Sequence, residues 1–264
     1  MKKSSQIIFT LFTLSLAHFS TSASIIPTGL TVTGSIELGH GVAITPGTTQ
    51  SDTIFSGNNN GFISNLAVTG DTTTDITFTN TNDALGFNTN ISSTSVANNT
   101  LAYDFGMQLD NTHATDSFLV SFSFDYYHLV SAFVTGYSRS NISLFDSDGE
   151  FAFSDRKSDV DYGNSIDGVN TNNFGGVLED AGVFNFSYTV LAGETINFNG
   201  FAEAFFGFSG GHNIIEQQST GILSISDIRQ IKIGQPPVDI PEPSSLIVFL
   251  TLLTFFMRIQ SKRI

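Results

Sequence analysis

Cysteine and tryptophan are absent from this 264-residue sequence, and basic residues are scarce. Without cysteine the chain has no disulfide, no thiolate metal ligand and no thiol nucleophile, so its stability must come from packing. Tryptophan and tyrosine often carry sugar recognition, because a flat amphipathic ring stacks on a sugar and still faces water. The six tyrosines beside 26 phenylalanines therefore argue against a dedicated carbohydrate-binding module.

The charge of the chain is strongly negative between its two ends. Residues 24–240 hold five basic and 23 acidic side chains, which gives this stretch a net charge of −18. Such a surface repels phosphate backbones, and no basic residues cluster with aromatic ones, so nucleic acid is excluded as a partner. Cations are the small partners that this charge favours.

The N-terminus has the order of a secretory signal peptide. Lys2 and Lys3 precede an apolar run at 7–16, which gives way to small residues at 20–24. Residues 1–23 are therefore predicted to be a signal peptide, with cleavage at 22–24. The alternative is a retained anchor or a buried helix, and the run is too short to span a bilayer comfortably.

The C-terminus has the order of a stop-transfer segment. Residues 246–257 are apolar except for two threonines, and they predict a membrane helix. Arg258, Lys262 and Arg263 follow, and the positive-inside bias would hold them in the cytoplasm. A helix over 244–257 spans on the order of 20 Å, which is short of the ~30 Å hydrocarbon core. We therefore expect a segment that holds the chain in the membrane only temporarily, with a simple C-terminal anchor as the alternative.

Pro241, Glu242 and Pro243 stand directly before this segment. With the motif, the apolar segment and the basic end in order, residues 241–264 closely resemble the PEP-CTERM sorting signal of Gram-negative bacteria. The resemblance implies that an exosortase-like membrane peptidase recognises the tail and processes it near the motif. The three motif residues are then substrate residues. The protein is expected to pass transiently through the inner membrane and to end at the cell surface or in the extracellular matrix.

The middle of the chain alternates apolar and polar residues with a period of two, and no long stretch has a helical period. Residues 24–233 are therefore predicted to form one all-β domain, a jelly-roll-like antiparallel β-sandwich. Prolines in 234–240 predict a stiff spacer before the tail. The predicted strands are 32–38, 62–68, 76–78, 101–109, 117–134, 141–145, 151–153, 184–190, 196–206 and 221–228.

Two kinds of connection are predicted between these strands. The turn at 191–194 separates two clean alternations and predicts a β-hairpin of 184–190 with 196–206. Stretches rich in Gly, Asn, Ser, Thr and Asp predict loops. These loops are 39–61, 86–100, 155–182 and 207–219.

Seven carboxylates lie between Asp146 and Asp167, and oxygen-rich segments of this kind suit calcium. The alternative is a solvated acidic loop, because the residue types at 146–149 are typical of a turn. Calcium is the one cofactor that the sequence suggests. Its candidate ligands are Asp146, Asp148, Glu150, Asp159 and Asp161.

Two function classes stay open for the sandwich. The leading hypothesis is a non-enzymatic surface or matrix protein with a structural or adhesive role, and extracellular polysaccharide is a candidate partner. The rival is a secreted carbohydrate-active enzyme or a glycan-binding module. An enzyme needs two converging carboxylates, and a glycan-binding module needs exposed aromatic rings. The carboxylates available for catalysis are Glu179, Asp180, Glu194 and Glu203.

Overall fold

The strands of this chain pack as two antiparallel sheets, which confirms the sequence prediction of an all-β sandwich. A computed structural model describes residues 24–40, 48–58, 66–67, 72–81, 83–93, 99–207 and 214–232. The predicted signal peptide, the spacer and the sorting segment lie outside these residues. No helix among the described residues is long and apolar enough to cross a membrane.

Fourteen strands are formed by the described residues, and most connections pass from one sheet to the other. The strands are β1 (Leu30–His40), β2 (Thr48–Asn58), β3 (Leu66–Ala67), β4 (Thr72–Thr77), β5 (Asp83–Ser93), β6 (Asn99–Asn111), β7 (Ser117–Phe133), β8 (Tyr137–Asp146), β9 (Gly149–Asp159), β10 (Ser165–Ile166), β11 (Val169–Asn170), β12 (Gly176–Val190), β13 (Thr195–Gly207) and β14 (Ile214–Ile231). The eight-stranded sheet has the order β11-β10-β9-β8-β13-β6-β1-β4, and the six-stranded sheet has the order β12-β7-β14-β5-β2-β3.

The core lies between the two sheets and is built from the predicted inward rows. Phe118, Val120, Phe122 and Phe124 of β7 are at most 1% exposed, as the alternation of that strand predicts. Their rings interlock with rings of the opposite sheet. The Phe124 ring stacks on Phe105 of β6 at 5.4 Å between centroids. Aromatic pairs of this kind add about 0.5–1.5 kcal/mol beyond their area burial.

All four predicted loops contain strand residues instead. β2 lies entirely in the predicted loop 39–61, and most of β5 lies in the predicted loop 86–100. The predicted loop 155–182 contains β10, β11 and the start of β12, and the predicted loop 207–219 contains the start of β14. In β5, Phe87, Thr89 and Ile91 are buried, while Asn90 between them faces out. The Asn, Ser and Thr residues that indicated a loop either face outward in this strand or, like Thr89, occupy a buried position where a small hydroxyl side chain fits. Tertiary packing therefore overrides the local composition.

The predicted hairpin of 184–190 with 196–206 is wrong. β12 pairs with β7 in the six-stranded sheet, whereas β13 pairs with β6 and β8 in the other sheet. The turn itself exists, since the Leu191 amide donates to Glu194 Oε2 at 2.7 Å. The Asn111 side-chain amide donates to the Val190 and Leu191 carbonyls and ties the turn to β6. Local turn chemistry does not reveal that the chain changes sheet here.

Candidate functional site

Three of the candidate calcium ligands belong to the tight connection between β8 and β9. The Asp148 amide donates to Asp146 Oδ1 at 2.8 Å, as a turn requires. The Tyr188 hydroxyl donates to Asp146 Oδ2 at 3.2 Å. Burial and the Asp146 charge raise the pKa of Tyr188. Asp148 and Glu150 face solvent at this connection.

Asp159 and Asp161, the other two candidates, lie at the far end of β9. Asp159 Oδ1 accepts the amides of Asp161 and Tyr162, and Asp159 Oδ2 lies 2.5 Å from Lys157 Nζ. Ten strand steps of about 3.3 Å place them on the order of 30 Å from the β8–β9 connection. The five carboxylates therefore do not form one site. No three His, Asp or Glu side chains gather at a metal-binding distance within the described ranges.

The basic residues of this region pair with its carboxylates. Arg139 Nε lies 2.6 Å from Asp155 Oδ1. Arg156 contacts two carboxylates, with Nη1 at 2.7 Å from Asp167 Oδ1 and Nη2 at 2.7 Å from Asp180 Oδ2. Its guanidinium also donates to the Asp155 carbonyl at 2.8 Å. Two of the seven clustered carboxylates, Asp155 and Asp167, thus pair with cations from β8 and β9.

His128 lies beside this ion-pair network, in the space between the sheets. It is completely buried on β7, and its Nδ1 is 2.7 Å from Ser140 Oγ on β8. Its Nε2 has no hydrogen-bond partner among the described residues. Burial and the nearby Arg156 charge lower the pKa of His128 to about 4. The imidazole is therefore neutral at physiological pH.

The four carboxylates considered for catalysis lie in different parts of the sandwich. The Asp180 side chain lies on the inner face of the six-stranded sheet, where it pairs with Arg156. Glu179 is on the outer face of the six-stranded sheet, where it accepts a hydrogen bond from Tyr127. Glu203 is on the outer face of the eight-stranded sheet beside Asn141, and Glu194 belongs to the turn after β12. The described residues do not bring these four together as an acid–base pair.

A groove of about 490 Å³ crosses the outer face of the eight-stranded sheet, over β4, β1, β6 and β13. Paired residues form two rows across it. One row is Thr77, Thr33, Gln108 and Asn197, and the next is Asp75, Ser35, Gly106 and Asn199. Hydroxyls and amides dominate both rows, and Asp75 is the one charged side chain among the lining residues.

Gly106 forms a recess in the floor of this groove. A Cβ added there would meet Asn199 Oδ1 at 3.4 Å and Ser35 Oγ at 3.5 Å. With glycine instead, backbone and the flanking polar groups are open to a ligand that lies flat on the sheet. The polar positions of 101–109 and 196–206 are visible in the sequence, but their adjacency to residues 33–35 and 75–77 is not.

Exposed aromatic rings adjoin the groove on the same face. Phe145 continues the row that contains Asn199 and is 38% exposed. Phe153 is 37% exposed and pairs with Ser143, the neighbour of Phe201 on β13. A hydrogen-bonding groove thus ends at an apolar ring surface. Both rings belong to strands that the sequence predicts, 141–145 and 151–153.

The sorting motif Pro241, Glu242 and Pro243 and the basic residues Arg258, Lys262 and Arg263 lie outside the described residues. Their roles stay predictions. The outer groove and the buried Arg156–His128 region are two polar sites formed by the described residues.

No protein-family model matches this chain, and no curated protein sequence matches it. Among solved structures, that of the infectious bursal disease virus Gx strain is 12% identical over 79% of this chain and 58% of that chain, with a TM-score of 0.20. The VP2 subviral particle of infectious bursal disease virus is 14% identical over 78% of this chain and 57% of that one, with a TM-score of 0.22. The enzymatically active domain of tailspike protein 4 from bacteriophage CBA120 is 12% identical over 68% and 19%, with a TM-score of 0.16. This chain spans less than two thirds of the length of these matched chains, and similarities at such TM-scores carry no argument about function.

Proposed function

We propose that this chain is an exported surface or extracellular-matrix protein with an adhesive role, and that the outer groove of the eight-stranded sheet is its adhesive site. The observation that carries the proposal is the pair of polar rows that line the groove, in which Asp75 is the one charged side chain. Amides and hydroxyls both donate and accept hydrogen bonds, so they match ligands rich in hydroxyl groups. No cofactor is needed for such binding.

The ligand class that suits this groove is a neutral polysaccharide. Sugar hydroxyls would pair with Gln108, Asn197 and Asn199, and the apolar face of a sugar ring would stack on Phe145. The net charge of −18 over residues 24–240 disfavours polysaccharides that carry uronate or sulfate groups. The rival function, glycan hydrolysis, needs two carboxylates, and Asp75 stands alone among the lining residues. The groove therefore favours binding over catalysis.

Removing amides from the groove should weaken this binding. We expect the double variant Gln108→Ala/Asn199→Ala to bind a neutral β-glucan roughly thirtyfold more weakly, because each of the two lost hydrogen bonds contributes about 1 kcal/mol. Affinity electrophoresis in gels that contain the β-glucan measures the change. The matched control, Asn185→Ala/Gln218→Ala, removes two amides from the outer face of the other sheet and should bind as the wild type does. Equal losses of affinity in both double variants, or no retardation of the wild type by any neutral polysaccharide, would refute the proposal that the groove is the binding site.

The route to the surface is proposed from the sequence ends. We infer a signal peptide at 1–23, a jelly-roll-like sandwich at 24–233, a spacer at 234–240 and a PEP-CTERM-like sorting segment at 241–264 with its apolar helix at 246–257. Support for the jelly-roll-like description is the number of connections that pass between the sheets. An exosortase-like peptidase would release the protein after a transient stay in the inner membrane.

Fractionation of the native cells tests the route. In cells with the exosortase-like peptidase we expect a shortened protein outside the cell, and in cells without it the full-length protein in the inner membrane. Substituting Glu242→Ala in the motif should reproduce the second result, while Asn185→Ala, far from the motif, should not. Full-length protein in the inner membrane of both strains would contradict the sorting proposal.

A further inference from the structure

The edge formed by β12 differs from the other edges of the two sheets. The edge strands β3, β4 and β11 are two, six and two residues long as described, whereas β12 is fifteen residues long. β12 pairs with β7 along its whole length and has no other strand beside it among the described residues. Alternate backbone groups of 177–189 therefore point away from the sheet without a backbone partner in the described part of the chain.

The inner face of this edge is incompletely covered. Phe184, Phe186 and Tyr188 pack against the core but stay partly exposed, whereas the facing residues Phe122 and Phe124 of β7 are at most 1% exposed. Phe151 of β9 is 5.0 Å from Phe186 and is itself exposed on the same side. The sandwich is thus open along β12, where apolar rings and unpaired backbone groups lie together.

Most of the usual protections of an edge strand are absent from β12. Edge strands are commonly kept from pairing by short length, proline, lysine, bulges or inward-pointing charges, and of these β12 has only the inward-pointing Asp180. β12 has no proline and no basic residue, its pairing with β7 is regular, and its two charges, Glu179 and Asp180, lie near one end. Its outward side chains include Val177 at 55% and Val183 at 50% exposure. Such an edge is suited to accept another strand.

We propose that β12 pairs antiparallel with β12 of a second copy of this chain, about a two-fold axis at Val183. Val183 is the midpoint of Gly176–Val190, so this register pairs all fifteen residues. It places Glu179 opposite Ser187 and Asp180 opposite Phe186, so no two like charges face each other. A two-fold axis makes the same edge complementary to itself, and the two six-stranded sheets become one. This inference is independent of the polysaccharide groove, which lies on the other sheet.

Charge gives the association a distinctive salt dependence. Each copy carries a net charge of −14, so the copies repel one another at low ionic strength. Salt screens this repulsion, because the Debye length falls from about 30 Å at 0.01 M to about 8 Å at 0.15 M. The dimer should therefore become more stable as salt is added, which is the reverse of an association held by ion pairs.

Sedimentation velocity of the full chain, with variants on β12, tests the register. Val183→Glu places two carboxylates opposite each other at the axis and should raise the dimer dissociation constant roughly tenfold. The control Val177→Glu adds the same charge to the same face of the strand but opposite Thr189, and it should change the constant much less. Ser187→Lys would face Glu179 twice in the dimer and should tighten it a few-fold.

Three results would overturn the proposal. The first is a monomer at every protein and salt concentration tested. The second is an equal effect of Val183→Glu and Val177→Glu, which would also identify association through another part of the chain. The third is slow hydrogen exchange, in a monomeric sample, of those amides of 177–189 that point away from β7, because the edge would then be covered by this chain itself. Exchange that slows only as the dimer forms supports the proposal.

Discussion

Acidification from pH 6.5 to about 4 is expected to lower the free energy of unfolding by about 3 kcal/mol through His128 alone. The imidazole is buried between the sheets beside the Arg156 guanidinium, and both features oppose its protonation. The unfolded chain has no such penalty and takes up the proton at about pH 6.5. Between these two values the unfolded state therefore binds more protons than the folded state.

The direction of the effect follows from that difference. Where the unfolded state binds more protons, stability rises with pH, so the contribution of His128 is fully present above pH 6.5. It is lost progressively as the pH falls towards 4, and the loss is complete once both states are protonated. Asp180 and Asp167 oppose this effect, because their charges raise the pKa of the imidazole, while burial and Arg156 outweigh them.

Denaturant unfolding of His128→Gln and wild type at several pH values measures this contribution. The stability difference between the two proteins should change by about 3 kcal/mol between pH 7 and 4. Ser140→Ala is the control, since it removes the hydrogen bond to Nδ1 but keeps the titrating ring, and it should preserve the pH dependence. Parallel curves for wild type and His128→Gln would show that His128 does not titrate in this range.

Replacing Gly200 by alanine should destabilise the sandwich by about 3 kcal/mol, which is at the upper end for an overpacked core. Gly200 faces inward on β13, and a Cβ there would overlap the Phe105 ring of the neighbouring strand. That ring cannot simply move, because it lies 5.4 Å from the Phe124 ring and 6.5 Å from the Phe87 ring. Thermal or denaturant unfolding measures the loss.

Gly106→Ala is the matched control for this substitution. Gly106 is on β6, next to Phe105 in sequence, but it faces outward, and a Cβ there meets its neighbours at ordinary contact distances. We expect a change within about 0.5 kcal/mol, as for most surface substitutions. A double variant, Gly200→Ala/Phe105→Leu, should recover part of the lost stability, because leucine is smaller than phenylalanine and leaves room for the added methyl group. Additive losses in the double variant would argue that another contact is responsible.

Much of the core follows from the sequence, because one-residue alternation is a local signal. Phe118, Phe122 and Phe124 were expected on one face of a strand, and they are buried together. β5 was missed because its outward residues are Asn and its inward row includes Thr89, so its composition looks like a loop. The hairpin was wrong because turn geometry does not specify which sheet the next strand joins.

The candidate sites show a different limit of sequence reasoning. Asp146 and Asp161 are close in sequence but lie just beyond opposite ends of the extended strand β9. Proximity along the chain therefore gave a wrong grouping of the calcium candidates. The groove has the opposite property, because Ser35, Asp75 and Asn199 become neighbours only through strand order. The pairing of distant strands is set by the whole core, and no local pattern encodes it.

The positions of the last two strands set the order in which this protein can be assembled. β13 lies between β8 and β6 in one sheet, and β14 lies between β7 and β5 in the other. A growing or translocating chain that ends before residue 195 therefore lacks an inner strand of both sheets and exposes the edges of the strands that should flank it. Folding must wait until almost the entire domain has emerged, and non-local pairing of this kind is slow. During that interval the aromatic rows are open to aggregation, so the cell has reason to keep the chain unfolded until its C-terminal strands arrive.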